Sequence, residues 1–392
     1  MLYFIVNSMR RIYMDYAATT PVDPRVFKVM ASFFTDKFGN SMSLYSIGQE
    51  AKMALEESRA TVAGLMNARV NEIIFTGSAT ESNNFALKGI AFANREKGKH
   101  IITSAVEHHC VMESAKWLKK QGFDVTFIPV DKYGLVDPVT VEDAIRKDTV
   151  LVSIIHASNE IGTIEPIKEI GEICRNHNVY FHTDAAQSFG KIDFDVKKMN
   201  VDLATVSSHK MYGPKGVGAL YVKEGVKIEP LLHGGGHEFG LRSSTVNVAG
   251  IVGFGEAVKI AKKEMKPEAR RLTKLRDKLI KGVLKIEGSH LNGHPTKRLP
   301  NNSNFWFNYI EGEGLVMYLD SKGVAASTGS ACSSSSLEPS HVLTAIGLKH
   351  EQAHGSLRLS LGRYTAASDV DYVLKNLSEV IERLRKISPF KR

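Results

Sequence analysis

The chain has 392 residues, of which 43% are hydrophobic and 24% charged, a composition and length that predict a soluble globular protein with two domains. No apolar run is long enough to span a membrane, and the apolar patch near the start precedes its arginines, an order that disfavours a secretory signal. The net charge of +9 is spread out without interleaved aromatic residues, so we expect solvated lysine surfaces rather than a nucleic-acid site.

Residues 72–264 alternate between strand-like and helix-like segments. The strand-like segments are EIIFT, KHIITSA, FDVTFIPV, TVLVSIIHA, VYFHTDAA, DLATVSS and GVGALYV. The helix-like segments between them include GSATESNNFALKGIAFANREK, VMESAKWLKKQG and IKEIGEICRNHN. This βαβ rhythm predicts an α/β fold whose mostly parallel sheet carries helices on both faces. Because ligands bind such sheets at the carboxyl ends of the strands, the site is expected among the polar residues that follow them.

The remainder of the chain predicts a smaller α+β domain. The segment GIVGFGEAVKIAKKEM is expected to form a long helix that leaves the first domain. A second helical pattern follows Pro267 and runs to about Lys285. Beyond it, NSNFWFNYI and GSLRLSLG are strand-like, GLVMYLDSKG is helix-like, and the amphipathic segment SDVDYVLKNLSEVIERLRKI predicts a last helix.

The first strand-like segment is followed by a predicted helix start. Ser78 and Glu81 have the S-x-x-E form of a capping box. The free N–H groups and positive dipole of a helix N terminus favour an anion such as phosphate, and the Thr80 hydroxyl adds a donor. Taken alone, a plain helix cap is the commoner interpretation.

Two further strand ends carry ionisable side chains. Asp184 and Gln187 follow VYFHT, where a ligand contact and a helix N-cap are about equally plausible. Lys210 follows DLATVSS; a lone lysine is usually solvated, although one in a cleft of low dielectric has a lowered pKa and forms Schiff bases. Together, the anion-binding helix start, the carboxylate and the lysine are the set that pyridoxal phosphate needs. No GxGxxG or Walker motif occurs, which weakens the nucleotide alternatives.

The three cysteines, Cys110, Cys174 and Cys332, are widely spaced and form no CxxC pair. This pattern disfavours a disulfide scaffold or a zinc site and predicts a reducing, cytoplasmic location. Cys174 lies in a helical pattern and is expected to be a small core residue. Cys110 follows two histidines, but adjacent residues cannot readily surround one metal ion. Cys332 lies in STGSACSSSS, a run without bulky side chains.

These segments belong to a longer series of ordered motifs that covers nearly the whole chain. The series comprises YMDYAATTPVDP, FTGSATESNN, EHHCV, NEIGTIEPI, HTDAAQSFGK, SSHKMYGPKGVGALYV, GGGHEFGLRSST, GSACSSSSLEPSHVL and LRLSLGRYT. In these motifs the sequence resembles the cysteine desulfurases of the iron–sulfur-cluster assembly and nitrogen-fixation type, those with a long cysteine loop, in the class V aminotransferase family. The resemblance implies fold type I of the pyridoxal-phosphate-dependent transferases. We therefore expect an N-terminal segment, 1–19, that packs with the small domain, a large cofactor-binding domain, 20–262, and a small domain, 263–392, that carries the Cys332 loop.

The resemblance also implies a role for individual residues. Lys210 is similar to the lysine that carries pyridoxal 5′-phosphate, His108 to the histidine stacked on its ring, and Cys332 to the nucleophile. The implied cofactor contacts are Ala79, Thr80, Asp184 at the ring nitrogen, Gln187 at the ring hydroxyl, Ser207, His209, and Thr245, which would reach the phosphate from the partner subunit of a homodimer. The implied contacts of the substrate carboxylate are Asn159 and Arg358, with Arg363 as the nearby competitor.

The activity implied by the resemblance is conversion of L-cysteine to L-alanine, with the sulfur held on Cys332 as a persulfide. The sulfur would pass to an acceptor such as a cluster scaffold protein or a tRNA-thiolation enzyme, and no metal is expected beyond a transient iron–sulfur contact at Cys332. Gly329 and the serines of the loop predict a mobile carrier arm. The alternatives are a selenocysteine lyase, another enzyme of the aminotransferase family and, less favoured, a non-enzymatic sulfur-delivery scaffold.

Overall fold

The computed structural model describes residues 11–328 and 338–388. Its strands in chain order are β1 (Ile12–Tyr13), β2 (Ile73–Thr76), β3 (His100–Ser104), β4 (Asp124–Ile128), β5 (Thr149–Ser153), β6 (Tyr180–Asp184), β7 (Leu203–Ser207), β8 (Gly218–Val222), β9 (Ser289–Asn292), β10 (Asn302–Phe307), β11 (Val324–Ala325) and β12 (Ser356–Ser360). Seven of them form one sheet in the order β2-β8-β7-β6-β5-β3-β4. Strand β8 is antiparallel to β2 and β7, and the remaining pairs are parallel. The predicted α/β fold with a mostly parallel sheet is therefore confirmed.

Helices cover both faces of this sheet. In chain order they are α1 (Pro24–Thr35), α2 (Ser46–Met66), α3 (Ala79–Ala93), α4 (His109–Lys120), α5 (Pro138–Ala144), α6 (Ile167–Asn176), α7 (Val248–Val283), α8 (Gly312–Ser321), α9 (His341–Ala345), α10 (His350–His354) and α11 (Ala367–Ile387). The side chains of successive strand residues point to opposite faces of the sheet. Thus Ile73 and Phe75 pack with α2, α6 and α7, while Ile74 packs with α3 and α4. No helix in the described part of the chain is long and apolar enough to cross a membrane.

Helix α7 corrects one sequence-based expectation. The break expected at Pro267 is wrong, because α7 continues through that residue from Val248 to Val283. A proline inside a helix removes one backbone hydrogen bond, so packing must hold the two halves in line. The N-terminal part is buried against the seven-stranded sheet, and residues such as Leu272 and Leu279 are buried in a second core.

The second core surrounds an antiparallel sheet of order β12-β10-β9. Helices α8 and α11 and the C-terminal part of α7 contribute side chains to it. Strand β1 pairs in parallel with β11, so Ile12 and Met14 also belong to this core. Helix α7 thus joins the core beneath the large sheet to this second core. The exact boundaries 1–19, 20–262 and 263–392 stay a prediction.

A buried ion pair fastens the loop that precedes α7 to the large sheet. Arg59 is 2% exposed and donates to both Glu238 carboxylate oxygens, at 2.6 and 2.9 Å. The same guanidinium donates to the Ile73 carbonyl, and the Glu238 carboxylate accepts from the Phe75 amide, both at 2.7 Å. Each charge is therefore compensated on several sides, which is the condition for keeping it in a dry interior.

We expect Glu238→Ala to destabilise the protein by about 3–5 kcal/mol, because it leaves the buried Arg59 charge with only the more exposed Glu56 as an acidic partner. The matched control is Glu57→Ala, which removes the partner of Lys259 from an exposed pair and should cost less than about 1 kcal/mol. Urea denaturation of the two variants measures the difference. Equal losses of stability in the two variants would contradict the importance of the buried pair.

Candidate active site

A cavity of about 310 Å³ opens at the carboxyl ends of the parallel strands, between the large sheet and β12. Nine of the residues predicted from the sequence line it: Ala79, Thr80, His108, Asn159, Asp184, Gln187, His209, Lys210 and Arg358. They come from widely separated segments of the chain, which the strand order brings to one edge of the sheet. The lining also includes Ala17, Ala18, Ser78, His109, Cys110, Ile155, Glu160 and Ala186.

The start of α3 forms one wall of the cavity. Ser78 is its N-cap, as predicted, and its hydroxyl accepts from the Glu81 amide at 3.1 Å. The Glu81 carboxylate, however, accepts from the amide of Gly77 at 2.8 Å and pairs with Arg242 at 2.7 Å. A Cβ at Gly218 would lie 2.7 Å from the Ser78 carbonyl carbon, so only glycine lets β8 come this close to the helix start.

Asp184 ends β6 and is 4% exposed. One carboxylate oxygen accepts from the Ala186 amide at 2.9 Å, within a turn. The other accepts from the side-chain amide of Asn83 at 2.6 Å. No helix lies between β6 and β7 in the described residues 185–202, so the helix N-cap interpretation is wrong, and the carboxylate lies in the cavity wall.

Lys210 ends the short 3₁₀ turn Ser208–Lys210 that follows β7. Its Nζ donates to the carbonyls of Ala17 and Ala18, each at 2.7 Å, and so holds the N-terminal segment against the cavity. The neighbouring His209 ring lies 3.0 Å from the Thr19 hydroxyl. Burial, reinforced by nearby lysines, lowers the pKa of His209 to about 4, so this ring is neutral near pH 7.

Gln187 is held in one orientation by contacts at both ends of its amide. Its Nε2 donates to the Ala17 carbonyl at 2.8 Å, and its Oε1 accepts from Lys191 Nζ at 3.2 Å. Burial lowers the pKa of Lys191 to about 7, with Lys210 and Arg358 adding to the effect. The donor of Gln187 thus lies on the side of the N-terminal segment, and its acceptor on the side of Lys191.

His108 precedes α4 and is its N-cap. Its Nδ1 accepts from the Cys110 amide at 3.2 Å and lies 3.0 Å from the Cys110 sulfur. Burial lowers the pKa of His108, and Lys210 and His109 act in the same direction, while Asp184 opposes them. His109, which has no predicted role, also lines the cavity, and its ring contacts that of His341 with the centroids 4.7 Å apart.

Arg358 lies on β12 and reaches the cavity from the second core. Its guanidinium donates to the Asp15 carboxylate at 2.8 Å and to the Asn159 backbone carbonyl at 3.0 Å. Asn159 therefore contacts Arg358 through its backbone. The competitor Arg363 instead pairs with Asp23 and Glu264 and does not line this cavity. The geometry favours Arg358 over Arg363, as the motif did.

Three predicted site residues are not in the described cavity wall. Ser207 ends β7, and its hydroxyl is buried without a partner in the described ranges. Thr245 lines a separate cavity of about 230 Å³ together with Arg242. Cys332 lies outside the described residues, and so does the predicted carrier loop around it.

The residues that flank this segment on both sides are fixed at the cavity. On one side, Ser327 and Arg358 exchange backbone hydrogen bonds at 3.3 and 2.6 Å. On the other, the Ser340 hydroxyl donates to the Glu160 carboxylate, which lines the cavity. Burial raises the pKa of Glu160 to about 7, an effect that Ser340 and Arg358 partly offset. The described residues on either side of positions 329–337 therefore contact residues that line the cavity.

Several lining residues were missed by sequence reasoning. Ala17 and Ala18 lie in the N-terminal motif YMDYAATTPVDP, which carried the family resemblance but no assigned contact. Cys110 and Glu160 lie beside assigned residues, in EHHCV and NEIGTIEPI. Only their position next to those residues could have indicated them, because Asn83, which contacts Cys110, and Ser340, which contacts Glu160, lie 27 and 180 residues away.

Comparison with known proteins adds independent information. The family model for aminotransferase class-V matches residues 12–373. The chain is 57% identical to the cysteine desulfurase IscS of Methanosarcina thermophila over 380 residues, which cover 97% of this chain and 94% of that protein. It superposes on a solved NifS-like protein with a TM-score of 0.90 and 40% identity, covering 95% of this chain and 100% of that one. It also resembles the structure of SspA in complex with cysteine, with a TM-score of 0.81, 39% identity, and coverage of 91% of this chain and 100% of that one.

The match to the family model runs from β1 into the last helix and so includes every segment that lines the cavity. It confirms the family that the sequence motifs indicated. This chain belongs to the class V aminotransferase family and, within it, to the cysteine desulfurases of the IscS and NifS type.

Proposed function

We propose that this protein is a cysteine desulfurase that uses pyridoxal 5′-phosphate to convert L-cysteine to L-alanine and holds the sulfur on Cys332. The observation that carries the proposal is the convergence of Asp184, Lys210 and the N terminus of α3 on one cavity. The names of the relatives support the reaction, and the neighbour solved with cysteine supports the substrate.

The donor set of the cavity fits this cofactor. The N terminus of α3 and the Thr80 hydroxyl are suited to its phosphate. The Ser207 hydroxyl, which the resemblance also implies, is buried without a partner in the described structure but does not line the cavity. The Asp184 carboxylate would hold the ring nitrogen, and the Lys210 amine would bind the aldehyde carbon. When bound, the cofactor supplies an electron sink that makes the Cα–H and Cβ–S bonds of the substrate breakable.

The chain's own residues bind the substrate and move its proton. The Arg358 guanidinium is held by Asp15 and the Asn159 carbonyl, and its planar fork matches a carboxylate through two parallel N–H donors. The Lys210 amine takes the proton from the substrate Cα. The neutral His108 lines the same cavity and would return the proton to the product.

Sulfur transfer requires a thiol that can reach this cavity. The Thr328 carbonyl accepts a hydrogen bond from the Ser356 hydroxyl, which anchors this residue. Cys332 lies four residues after Thr328, and four residues of extended chain span about 14 Å. In the proposed step the Cys332 thiolate attacks the substrate sulfur. The Cβ–S bond breaks, an S–S bond forms, and the thiol proton ends on the alanine product. Cysteine and thiol thus become alanine and persulfide without an outside oxidant.

We infer that the protein forms a homodimer. Exposed apolar side chains are concentrated in α1, α2 and the segment between them, a set that we call the apolar patch: Phe27, Phe34, Phe38, Met42, Leu44, Tyr45 and Met53. A surface of this kind marks an interaction site. A partner subunit would also explain why Thr245 lies outside the cavity of its own chain. The sulfur acceptor would be a cluster scaffold protein or a tRNA-thiolation enzyme in the reducing cytoplasm.

We expect Lys210→Ala to abolish the covalent attachment of pyridoxal phosphate, because the variant has no amine at this place in the cavity. The measurement is borohydride reduction followed by peptide mapping, which should find the pyridoxyl group on Lys210 of the unaltered protein. Lys215→Ala, an exposed lysine five residues away, is the matched control and should keep the label on Lys210. A label that persists elsewhere in Lys210→Ala at full yield would contradict the assignment.

We expect Cys332→Ala to lower alanine release from cysteine by at least about 100-fold, because it removes the attacking thiolate. Intact-mass spectrometry after incubation with cysteine should show one added sulfur atom on the unaltered protein and none on the variant. Cys174→Ala removes a buried thiol and should still gain the sulfur. Alanine release that survives Cys332→Ala at full rate would mean that another group accepts the sulfur.

We expect the double substitution of Phe38→Asp and Leu44→Asp to convert a dimer into a monomer, because it places two charges in the apolar patch. Light scattering measures the mass. Met317→Asp introduces a charge at an equally exposed apolar residue on α8 and should leave the dimer intact. A monomeric unaltered protein, or a dimer that survives both charges, would exclude this interface.

A further inference from the structure

We infer that Asn83 and Cys110 are positioning residues, which link Asp184 to His108 by a chain of hydrogen bonds and fix His108 in its Nε2–H tautomer. Neither residue is part of the proposed cofactor or substrate contacts. The inference deepens the proposed function, on which the importance of His108 rests.

The first link of the chain joins Asn83 to two partners. Asn83 lies on α3 and is fully buried. Its Nδ2 donates to the Asp184 carboxylate at 2.6 Å and to the Cys110 sulfur at 3.1 Å. A carboxylate can only accept, so the amide must turn its NH₂ group toward Asp184. Its Oδ1 is buried without a partner in the described chain, which costs free energy. The two donated hydrogen bonds therefore determine the orientation of the amide.

The second link joins Cys110 to His108. The Cys110 backbone N–H donates to His108 Nδ1 at 3.2 Å, and the Cys110 sulfur lies 3.0 Å from the same nitrogen. A backbone N–H cannot accept, so Nδ1 carries no proton and the neutral ring must carry its proton on Nε2. The contact between sulfur and Nδ1 then has one possible direction, in which the thiol donates.

The protonation of the Cys110 thiol is consistent with this direction. Burial raises its pKa to about 12, and the charge of Asp184 adds to the effect, which outweighs the hydrogen bonds from Asn83 and Thr80. The thiol therefore keeps its proton near pH 7. Since the thiolate is the nucleophilic form, Cys110 is unsuited to accept sulfur although it lines the cavity.

The consequence concerns the only nitrogen of His108 that is left for chemistry. Protonation of Nδ1 would require both Cys110 donors to move away, so the chain of hydrogen bonds lowers the pKa of His108. Burial, Lys210 and His109 lower this pKa as well, while the charge of Asp184 opposes them. His108 therefore offers Nε2–H as a proton donor over a wide pH range. A ring free to exchange tautomers would spend part of its time with Nε2 bare.

The test is NMR of the full chain, loaded with pyridoxal phosphate and labelled with ¹⁵N in its histidines, across a pH series. His108→Gln identifies the His108 resonances, whose ¹⁵N shifts report which nitrogen carries the proton. We expect the Nε2–H tautomer in the unaltered protein. Cys110→Ala removes the thiol donor and should raise the pKa of His108 by about half a unit to one unit. Cys110→Ser restores a donor at the same place and should return the pKa most of the way.

The link through Asn83 is tested by a double-mutant cycle on the same resonance. If the chain is continuous, Asn83→Ala and Cys110→Ala should shift the pKa of His108 by less together than the sum of the two single shifts. Additive shifts would break the link between Asn83 and His108. Asn83→Ser takes its place in the cycle if the alanine variant does not fold.

Three further results would overturn the inference: a proton on Nδ1 of His108 in the unaltered protein, equal pKa shifts in Cys110→Ala and Cys110→Ser, or a persulfide on Cys110 after incubation with cysteine. The NMR readout needs no turnover. A protein that forms no alanine but shows the Nε2–H tautomer and the expected shifts would therefore refute the proposed function and leave this inference standing.

Discussion

The contacts of Arg358 connect the parts of the chain that build the cavity. The residue lies on β12 in the second core, and its guanidinium binds Asp15 in the N-terminal segment and the Asn159 carbonyl beyond β5 of the large sheet. Its backbone pairs with Ser327, which lies five residues before Cys332 in the sequence. A buried guanidinium is tolerated only when its donors are satisfied. The contacts of Arg358 therefore hold the two cores in the relative position that leaves the cavity between them.

The large sheet supplies the other half of that geometry. Asp184 ends β6, and Lys210 follows the end of β7, the strand that pairs with β6 in parallel. Because β6 and β7 are parallel, the carboxylate and the amine lie at the same edge of the sheet, independently of the loop conformations. The N terminus of α3 reaches this edge because Gly218 lets β8 approach the helix start. Strand direction, rather than any single contact, brings the anion site, the acid and the lysine together.

The sequence predicted the parts of the structure that depend on local patterns. The strands from β2 to β8 were found because short apolar runs between helical patterns are a local signal. Nine lining residues were found because they follow strand ends or belong to motifs of the family. The break expected at Pro267 was wrong because packing in two cores overrides the loss of one helical hydrogen bond. The partners of Lys210 at Ala17 and Ala18 were missed because such contacts join segments nearly 200 residues apart, and no local pattern encodes them.

The environments of the three cysteines explain why the same side chain can have different functions. Burial raises the pKa of Cys174 in the core and of Cys110 in the cavity wall, so both keep their protons near pH 7. A thiol of that kind can pack or donate a hydrogen bond, but it cannot attack sulfur at a useful rate. Cys332 is the remaining thiol, and its neighbours in sequence are serine, alanine and glycine, which bring neither apolar bulk nor negative charge. Two independent observations therefore support Cys332 as the sulfur carrier: the family motif that contains it, and the burial that keeps the other two thiols protonated.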